Sequence, residues 1–249
     1  MKIKVVILAA GKGKRMNSSI PKALSLVGGK PILQYLYDSI LESKVDGPPV
    51  VVIGPEKQRL CESFGGVCEY AVQELQLGTG HAVNVSKDVV GDSDAVIVLN
   101  GDEPFVSARA LQKLAKRHEE RGNTITMMTA TVPSFDGWYE AFCQWGRILR
   151  GSNGHIVGIR ECKDATENEK DIRELNPSLF CFDAEWLWKN IDELGNANAQ
   201  REYYLTDLIQ IAVLQGKKLS SIDVAPEEVV GINTQDELKI AEDLLERRT

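Results

Sequence analysis

Short apolar runs of four to eight residues alternate along this chain with stretches whose apolar residues recur at helical spacing, and few folds accommodate that pattern. The runs at Ile3–Leu8, Val50–Ile53, Glu69–Val72, Ala95–Leu99 and Thr124–Thr131 read as strands. Helical patterns lie between them at Pro31–Ser43, Glu56–Phe64, Thr79–Asp88 and Ser107–Arg121, the first with proline in its opening turn and the last capped by Ser107. Strands joined through helices can lie parallel, because each helix carries the chain back across the sheet. The spacing therefore predicts an α/β fold with a mostly parallel open sheet flanked by helices.

After Pro133 the pattern changes. Short strands at Gly146–Arg150 and Ile156–Arg160, an acidic stretch, and a strand at Glu174–Phe182 suggest a smaller lobe beside the sheet. Helices at Ala184–Ile191 and Leu205–Gln215, a strand at Leu219–Val224 and a helix capped by Thr234 complete the chain. Residues 136–144 and 164–170 read as mobile loops. One domain over 1–249 is expected, divided into a core at 1–132 and a lobe at 133–233.

Composition narrows the function classes. With 249 residues, 43% apolar and 26% charged, the chain resembles neither a disordered nor a fibrous protein. No apolar run approaches the ~18 residues of a membrane span, so no membrane partner is expected, and the N-terminal run breaks into Gly11-Lys12-Gly13-Lys14-Arg15 rather than a signal cleavage site. A cytoplasmic location is the expectation. Five cysteines, none spaced C-x-x-C, suggest neither a disulfide framework nor a zinc site. A net charge of −7 disfavours a nucleic-acid partner, which needs a contiguous basic face.

Three segments carry chemistry. The turn Gly11-Lys12-Gly13-Lys14-Arg15 follows the first strand, with Pro21-Lys22 close behind, so backbone N–H groups and four cations can face one anion. A solvated lysine turn would look the same from this motif alone. The dinucleotide fingerprint fails at Met16, which disfavours an NAD-dependent oxidoreductase, and the P-loop fails on spacing. Asn100-Gly101-Asp102 ends an apolar strand at the same sheet edge; Asp102 could hold Mg²⁺ or close an ordinary turn. Gln73 ends another strand and offers the donor and acceptor that reading a nucleobase requires. Thr79 reads either as part of that site or as a helix cap, and His81 as a structural helix residue.

Together these segments resemble the sugar-1-phosphate nucleotidylyltransferases: Leu8-Ala9-Ala10-Gly11-Lys12-Gly13-Lys14-Arg15-Met16, Pro21-Lys22-Ala23-Leu24, Gln76-Leu77-Gly78-Thr79-Gly80-His81-Ala82 and Gly101-Asp102. Trp145-Gly146-Arg147-Ile148, Glu161, Lys163-Asp164-Ala165-Thr166, Asn176, Glu202-Tyr203-Tyr204-Leu205-Thr206-Asp207 and Val230-Gly231-Ile232-Asn233 continue the likeness in order over nearly the whole chain. Within the family it resembles the uridylyltransferase half of the bacterial bifunctional N-acetylglucosamine-1-phosphate uridylyltransferase/glucosamine-1-phosphate acetyltransferases. The resemblance implies a Rossmann-like nucleotidyltransferase fold and a Mg²⁺-dependent transfer of UMP from UTP to N-acetylglucosamine 1-phosphate. It also implies roles. Arg15 and Lys22 would be the catalytic phosphate binders; Leu8, Ala10, Gly11, Gly13, Gln73, Gly78 and Thr79 would hold the nucleotide. Gly101, Gly146, Glu161, Asn176, Tyr204 and Thr206 would hold the sugar, and Asp102 and Asn233 the metal. On this view 1–132 mainly binds nucleotide and 133–233 contributes the sugar side.

The chain also departs from the family pattern. Asn100 stands where tyrosine is usual, Glu103 where a small apolar residue is usual, and Asn176-Pro177-Ser178 in place of Asn-Thr-Gly. Segment 134–144 is longer and adds Trp138, Tyr139 and Phe142, and Arg201 replaces a glycine. The sequence carries no hexapeptide repeats of an acetyltransferase β-helix, so no such helix is expected in it. Another sugar phosphate or nucleoside triphosphate, or a non-catalytic nucleotide-sugar-binding protein, are the alternative readings.

Overall fold

Alternate residues of the expected strands feed two different cores, which is why their sequences are apolar throughout rather than alternating. In the computed structural model, which describes residues 1–11, 16, 20–55, 58–198 and 200–247, strand β1 (Ile3–Leu8) sends Val5 and Ile7 to one core and Val6 to the other. A hairpin of β2 (Leu26–Val27) and β3 (Lys30–Pro31) follows. Its corner, Gly28-Gly29, has φ of +54° and +81°, the left-handed pair that two-residue hairpin turns demand. Helix α1 (Ile32–Ser43) starts directly after Pro31 and buries Ile32, Leu33, Leu36 and Ile40 along one stripe.

Next come β4 (Val50–Ile53), α2 (Gln58–Phe64), β5 (Glu69–Val72), α3 (Thr79–Asn84), α4 (Lys87–Val90), β6 (Ala95–Asn100), α5 (Ala108–Arg121) and β7 (Ile125–Thr131). Ser107 caps α5 as expected, accepting from the Ala110 N–H at 3.1 Å. The single helix expected over 79–88 is instead two short ones. Ser86 is buried, and its hydroxyl donates to the Val83 carbonyl at 2.7 Å, a local bond that competes with the helical ladder where α3 ends.

The second half adds β8 (Gly146–Arg150), β9 (Ile156–Arg160), α6 (Glu167–Lys170), β10 (Glu174–Asn176), β11 (Phe180–Asp183), α7 (Ala184–Asn190), α8 (Asp207–Leu214), β12 (Leu219–Val224) and α9 (Gln235–Glu246). The sheet runs β5-β4-β1-β6-β11-β7-β10-β8-β9, with β12 on the other edge of β7. The neighbours β5-β4-β1-β6 are mutually parallel, as are β7 and β12; β11 and the strands beyond β7 are antiparallel to their partners. The strands of 146–176 thus extend the central sheet. No left-handed β-helix occurs among the described residues, and no helix there is long and apolar enough to cross a membrane.

Two expectations need correction. The strand expected over 174–182 is broken: Ala130 pairs with Leu175 but Met127 with Phe180, so two extra residues loop out at Pro177-Ser178. Proline cannot donate to the ladder, and Ser178 takes φ +61°, so a bulge forms here. The loops expected at 136–144 and 164–170 are ordered into helical turns. Phe142, 1% exposed, anchors the first, a burial worth roughly 1.5–3 kcal/mol, with its ring edge-on to Trp145 at 4.8 Å. Buried Arg147 ties that segment down by donating to the carbonyls of Cys143, Trp145 and Lys170. In the second loop Thr166 and Glu169 form a reciprocal capping box.

Candidate active site

Parallel strands expose the carboxyl ends of their backbones along one edge, and ligands gather there. Leu8 and Asn100 stand side by side at the ends of β1 and β6, and Gln73 follows β5. These residues wall one cavity of about 510 Å³ together with Ala10, Gly11, Gln76, Gly78, Thr79, Ala82, Asp102 and Glu202. Six residues of the expected nucleotide set therefore share a single cavity; Gly13 lies outside the described residues, as does Arg15.

Glycine is required at two points, one in this wall and one just behind it. A Cβ on Gly101 would stand 2.8 Å from the Leu8 carbonyl oxygen, so only a bare backbone passes between β1 and the turn that carries Asp102. Gly78 has φ +109°, and a Cβ there would meet the Tyr203 backbone at 2.6 and 2.8 Å. The close approach lets residues 77–80 zip onto 203–205: Tyr203 donates to the Leu77 carbonyl and Gly80 to the Tyr203 carbonyl, both at 2.8 Å. The Thr79 hydroxyl accepts from the Leu205 N–H at 3.0 Å, so it is not the helix cap weighed as its alternative. The cap position belongs to Gly78.

Gln73 is 3% exposed, and its neighbours fix its amide. Nε2 lies 3.0 Å from the Gly78 carbonyl oxygen and 2.9 Å from His81 Nδ1. A carbonyl can only accept, so the nitrogen faces it; His81 Nδ1 then accepts as well, with its proton on Nε2. Both amide hydrogens are committed, which leaves Oε1 as the group's remaining acceptor in the cavity wall. His81, read from sequence as a structural residue, thus sets the polarity of that wall.

Below the cavity Lys22 Nζ donates to Asp102 Oδ2 at 2.7 Å and to Asn233 Oδ1 at 2.9 Å. These residues are 80 and 211 positions apart in sequence from Lys22, and all three side chains converge on one point. Local chemistry holds Asn233 in place: its N–H donates to Glu237 Oε2 at 2.6 Å, and Thr234 caps α9 by accepting from the Glu237 N–H at 3.2 Å. The Ile232 N–H donates to the Asp102 carbonyl at 2.9 Å, fastening the two segments. Beside Asp102, Glu103 is 4% exposed, and burial, with the Asp102 charge adding to it, holds its carboxyl well above the usual range. Glu103 Oε1 accepts from Asn100 Nδ2 at 3.1 Å, while Oε2 has no partner among the described residues.

None of the expected sugar residues lines the cavity, and Gly146, Glu161 and Asn176 form a second cluster. Gly146 is paired with Asn176 across β8 and β10, and a Cβ on Gly146 would stand 3.4 Å from Glu161 Oε1. Burial raises the Glu161 carboxyl above its ordinary range, with the charges of Asp164 and Asp207 adding to the effect. Tyr204 donates to Gln200 and its hydroxyl is raised chiefly by burial, then by the charges of Glu202 and Glu161. Thr206 opens α8 without a side-chain capping bond. The link between the two clusters is Asn100, which also donates to the Pro177 carbonyl at 2.9 Å, one residue beyond Asn176. The sequence reading placed neither Gln76 nor Glu202 in the site. Gln76 donates to the Ala10 carbonyl across 66 positions, a contact with no signal in local sequence.

Such an edge site is what a nucleotidyltransferase core provides, and comparison with known proteins agrees. Residues 5–192 match the family described as the MobA-like NTP transferase domain, and the chain belongs to that nucleotidyltransferase family. It is 39% identical over 246 residues to the bifunctional protein GlmU of Caldicellulosiruptor saccharolyticus, and 36% identical over 243 to that of Thermoanaerobacter pseudethanolicus. Each alignment covers 98% of this chain but 52% and 51% of the relative, so the chain spans about half the length of the curated relatives it matches. Two solved structures share the fold: a CMP:2-keto-3-deoxy-manno-octonic acid synthetase complexed with CTP (TM-score 0.72, 19% identity, all of both chains) and a putative glucose-1-phosphate thymidylyltransferase from Bacillus anthracis with a sucrose (TM-score 0.77, 20% identity, 97% of this chain and 94% of that one).

Proposed function

We propose that this chain transfers UMP from UTP to a sugar 1-phosphate, N-acetylglucosamine 1-phosphate first among them, releasing pyrophosphate. The observation that carries the reading is the convergence of Lys22, Asp102 and Asn233 beside a cavity in which Gln73 offers an acceptor. An acceptor suits the N3–H of uracil, whereas cytosine has a lone pair at that position. Gly78 and Thr79 flank the same wall, and Gly11 lines the cavity with them, where it would meet the triphosphate.

A divalent ion fits the residues present. Asp102 Oδ2 and Asn233 Oδ1 are hard oxygen donors, and both already point at one cation, the Lys22 ammonium. Among the described residues no three acidic, histidine or cysteine side chains gather as a closed metal cage, so two protein oxygens would be completed by phosphate oxygens and water. Mg²⁺ bound there would supply neutralising charge on the triphosphate.

The chain's own residues do the rest. A sugar phosphate, with a second pKa near ~6, is largely a dianion at neutral pH, so its oxygen attacks the α-phosphorus without a general base. One P–O bond forms, the bond to the bridging oxygen of the β-phosphate breaks, and its electron pair leaves with pyrophosphate. The barrier is charge repulsion between two anions, and Lys22 and Arg15 would screen it while holding the reactants in line. Glu161, Asn176 and Gly146 would orient the sugar, with Gly101, Tyr204 and Thr206 completing that side.

The test is pyrophosphate release from a panel of nucleoside triphosphates against a panel of sugar 1-phosphates, with and without Mg²⁺. UTP with N-acetylglucosamine 1-phosphate is expected to lead and to need the metal. Arg15→Ala and Lys22→Ala are each expected to fold and to lose roughly 10²–10³ in rate. Turnover near the unmodified level in both variants refutes the assignment. Nucleotide-sugar binding without pyrophosphate from any pair would favour a non-catalytic sensor.

A further inference from the structure

Asn100 closes β6 at the seam between the nucleotide cavity and the Gly146–Glu161–Asn176 cluster, and its amide orientation is settled by its surroundings. Nδ2 donates to the Pro177 carbonyl at 2.9 Å and to Glu103 Oε1 at 3.1 Å. A proline carbonyl is purely an acceptor, so the nitrogen must face it and the oxygen must face away. Oδ1 has no partner among the described residues, and Asn100 is part of the cavity wall. Both donors are spent inward, so the substrate meets an acceptor.

What holds that amide is costly to build. Glu103 is 4% exposed, with one carboxyl oxygen unpartnered, packed where a Cβ on Gly231 would come within 3.9 Å of its Cγ. An apolar side chain of similar size would fill this position without desolvating a carboxyl. The bond to Asn100 is the one hydrogen bond its side chain makes among the described residues. Pro177 contributes through the bulge that breaks β10 from β11, which turns its carbonyl toward Asn100. Three positions separated in sequence meet in one bonded unit.

We propose that Asn100 determines specificity for the acceptor, its Oδ1 reading a hydroxyl or N–H donor on the sugar, and that Glu103 is the positioning residue that keeps the amide turned that way. The inference rests on the nucleotidyl-transfer reading above and adds to it the chemistry of the acceptor: a sugar phosphate that keeps a donor at this seam. The sugar, not the ribose of the nucleotide, is assigned because Asn100 is the residue of the cavity wall bonded to the bulge beside Asn176, so a group that passes from the cavity to the Gly146–Glu161–Asn176 cluster meets its amide at the seam.

The test compares kcat and KM for pyrophosphate release using UTP with N-acetylglucosamine 1-phosphate, glucose 1-phosphate and their monodeoxy analogues. In the unmodified protein, one deoxy analogue is expected to lose roughly 5- to 150-fold in kcat/KM against its parent, the range for deleting one partner of such a bond. In Asn100→Ala and Glu103→Leu that penalty shrinks toward unity, and the change falls on the KM of the sugar. Glu103→Gln, whose amide oxygen still accepts from Asn100, restores the penalty. Should either single variant fail to fold, the Asn100→Leu/Glu103→Leu pair removes both polar ends together and reads the same loss. An undiminished penalty in Asn100→Ala or in the pair overturns the inference, as does a penalty that appears with 2′- or 3′-deoxy-UTP instead of the sugar. Absence of pyrophosphate from every nucleotide and sugar pair overturns the underlying reading first.

Discussion

Replacing His81 with leucine isolates the device that fixes the Gln73 amide, and with it the proposed reading of uracil. The amide is locked because reversing it would set Oε1 against two acceptors, the Gly78 carbonyl oxygen and His81 Nδ1, now 3.0 and 2.9 Å from the nitrogen. Each lost bond is worth about 0.5–1.5 kcal/mol net, and an acceptor left facing another acceptor adds to that, so the reversed amide costs about 2–4 kcal/mol. His81→Leu removes one of the two locks and so about 1–2 kcal/mol, which lowers the ratio of kcat/KM for UTP over CTP by roughly 5- to 30-fold. Asparagine at 81 places an amide oxygen near the position of Nδ1 and is expected to recover most of the ratio, which a merely structural role for the imidazole would not explain. His81 is half-buried rather than part of the core, so both variants are expected to fold. The assay is steady-state pyrophosphate release with the two triphosphates at a fixed sugar phosphate. If His81→Leu keeps the full ratio at normal UTP turnover, or if the asparagine variant is as impaired as the leucine one, the reasoning fails.

Gly78→Ala combines a left-handed φ of +109° with a Cβ 2.6 Å from the Tyr203 carbonyl oxygen, so a loss of about 2–5 kcal/mol is expected in chemical denaturation; a loss under 1 kcal/mol would contradict the contact. Arg201 holds φ +54° where a glycine fits better, and Arg201→Gly is expected to gain up to about 1 kcal/mol, read as a rise of roughly 2–4 °C in Tm. His118 is 3% exposed, bonded to Thr126 Oγ1 at 3.1 Å, and burial lowers its pKa below 6.5. The unfolded chain therefore takes up a proton before the folded one, and stability present above pH 6.5 is lost as pH falls through the folded value. In urea titrations the pH dependence between 7 and 5 should be shallower in His118→Gln than in the unmodified protein, and equal slopes would refute this.

Strand positions were legible because burial on both faces demands unbroken apolar runs, a signal carried by neighbouring residues. β1, β4, β5, β8, β9 and β12 fall at their expected bounds, and Ser107 and Thr234 cap the helices assigned to them. The errors fall where a local pattern met a non-local constraint. The run over 174–182 looks continuous, yet its two halves share β7 as a neighbour and differ in the other, β8 for the first and β6 for the second, and Pro177 cannot join either ladder. Segment 136–144 reads as a mobile loop in sequence, whereas a single buried ring and the guanidinium of Arg147 decide its order.

By itself the sequence determined the class of fold, and it pointed to the sheet edge and the residue types proposed to meet a triphosphate and a cation. These depend on periodicity and on chemistry within a few residues. Only the tertiary structure decided that Lys22 reaches Asp102 and Asn233, that both hydrogens of the Gln73 amide are spent on Gly78 and His81, and that Asn100, Glu103 and Pro177 form one unit. The physical reason is that a hydrogen bond is set by direction and distance between particular atoms. Residues 77 and 211 positions apart acquire those only when the sheet and its connections bring their backbones to a common edge.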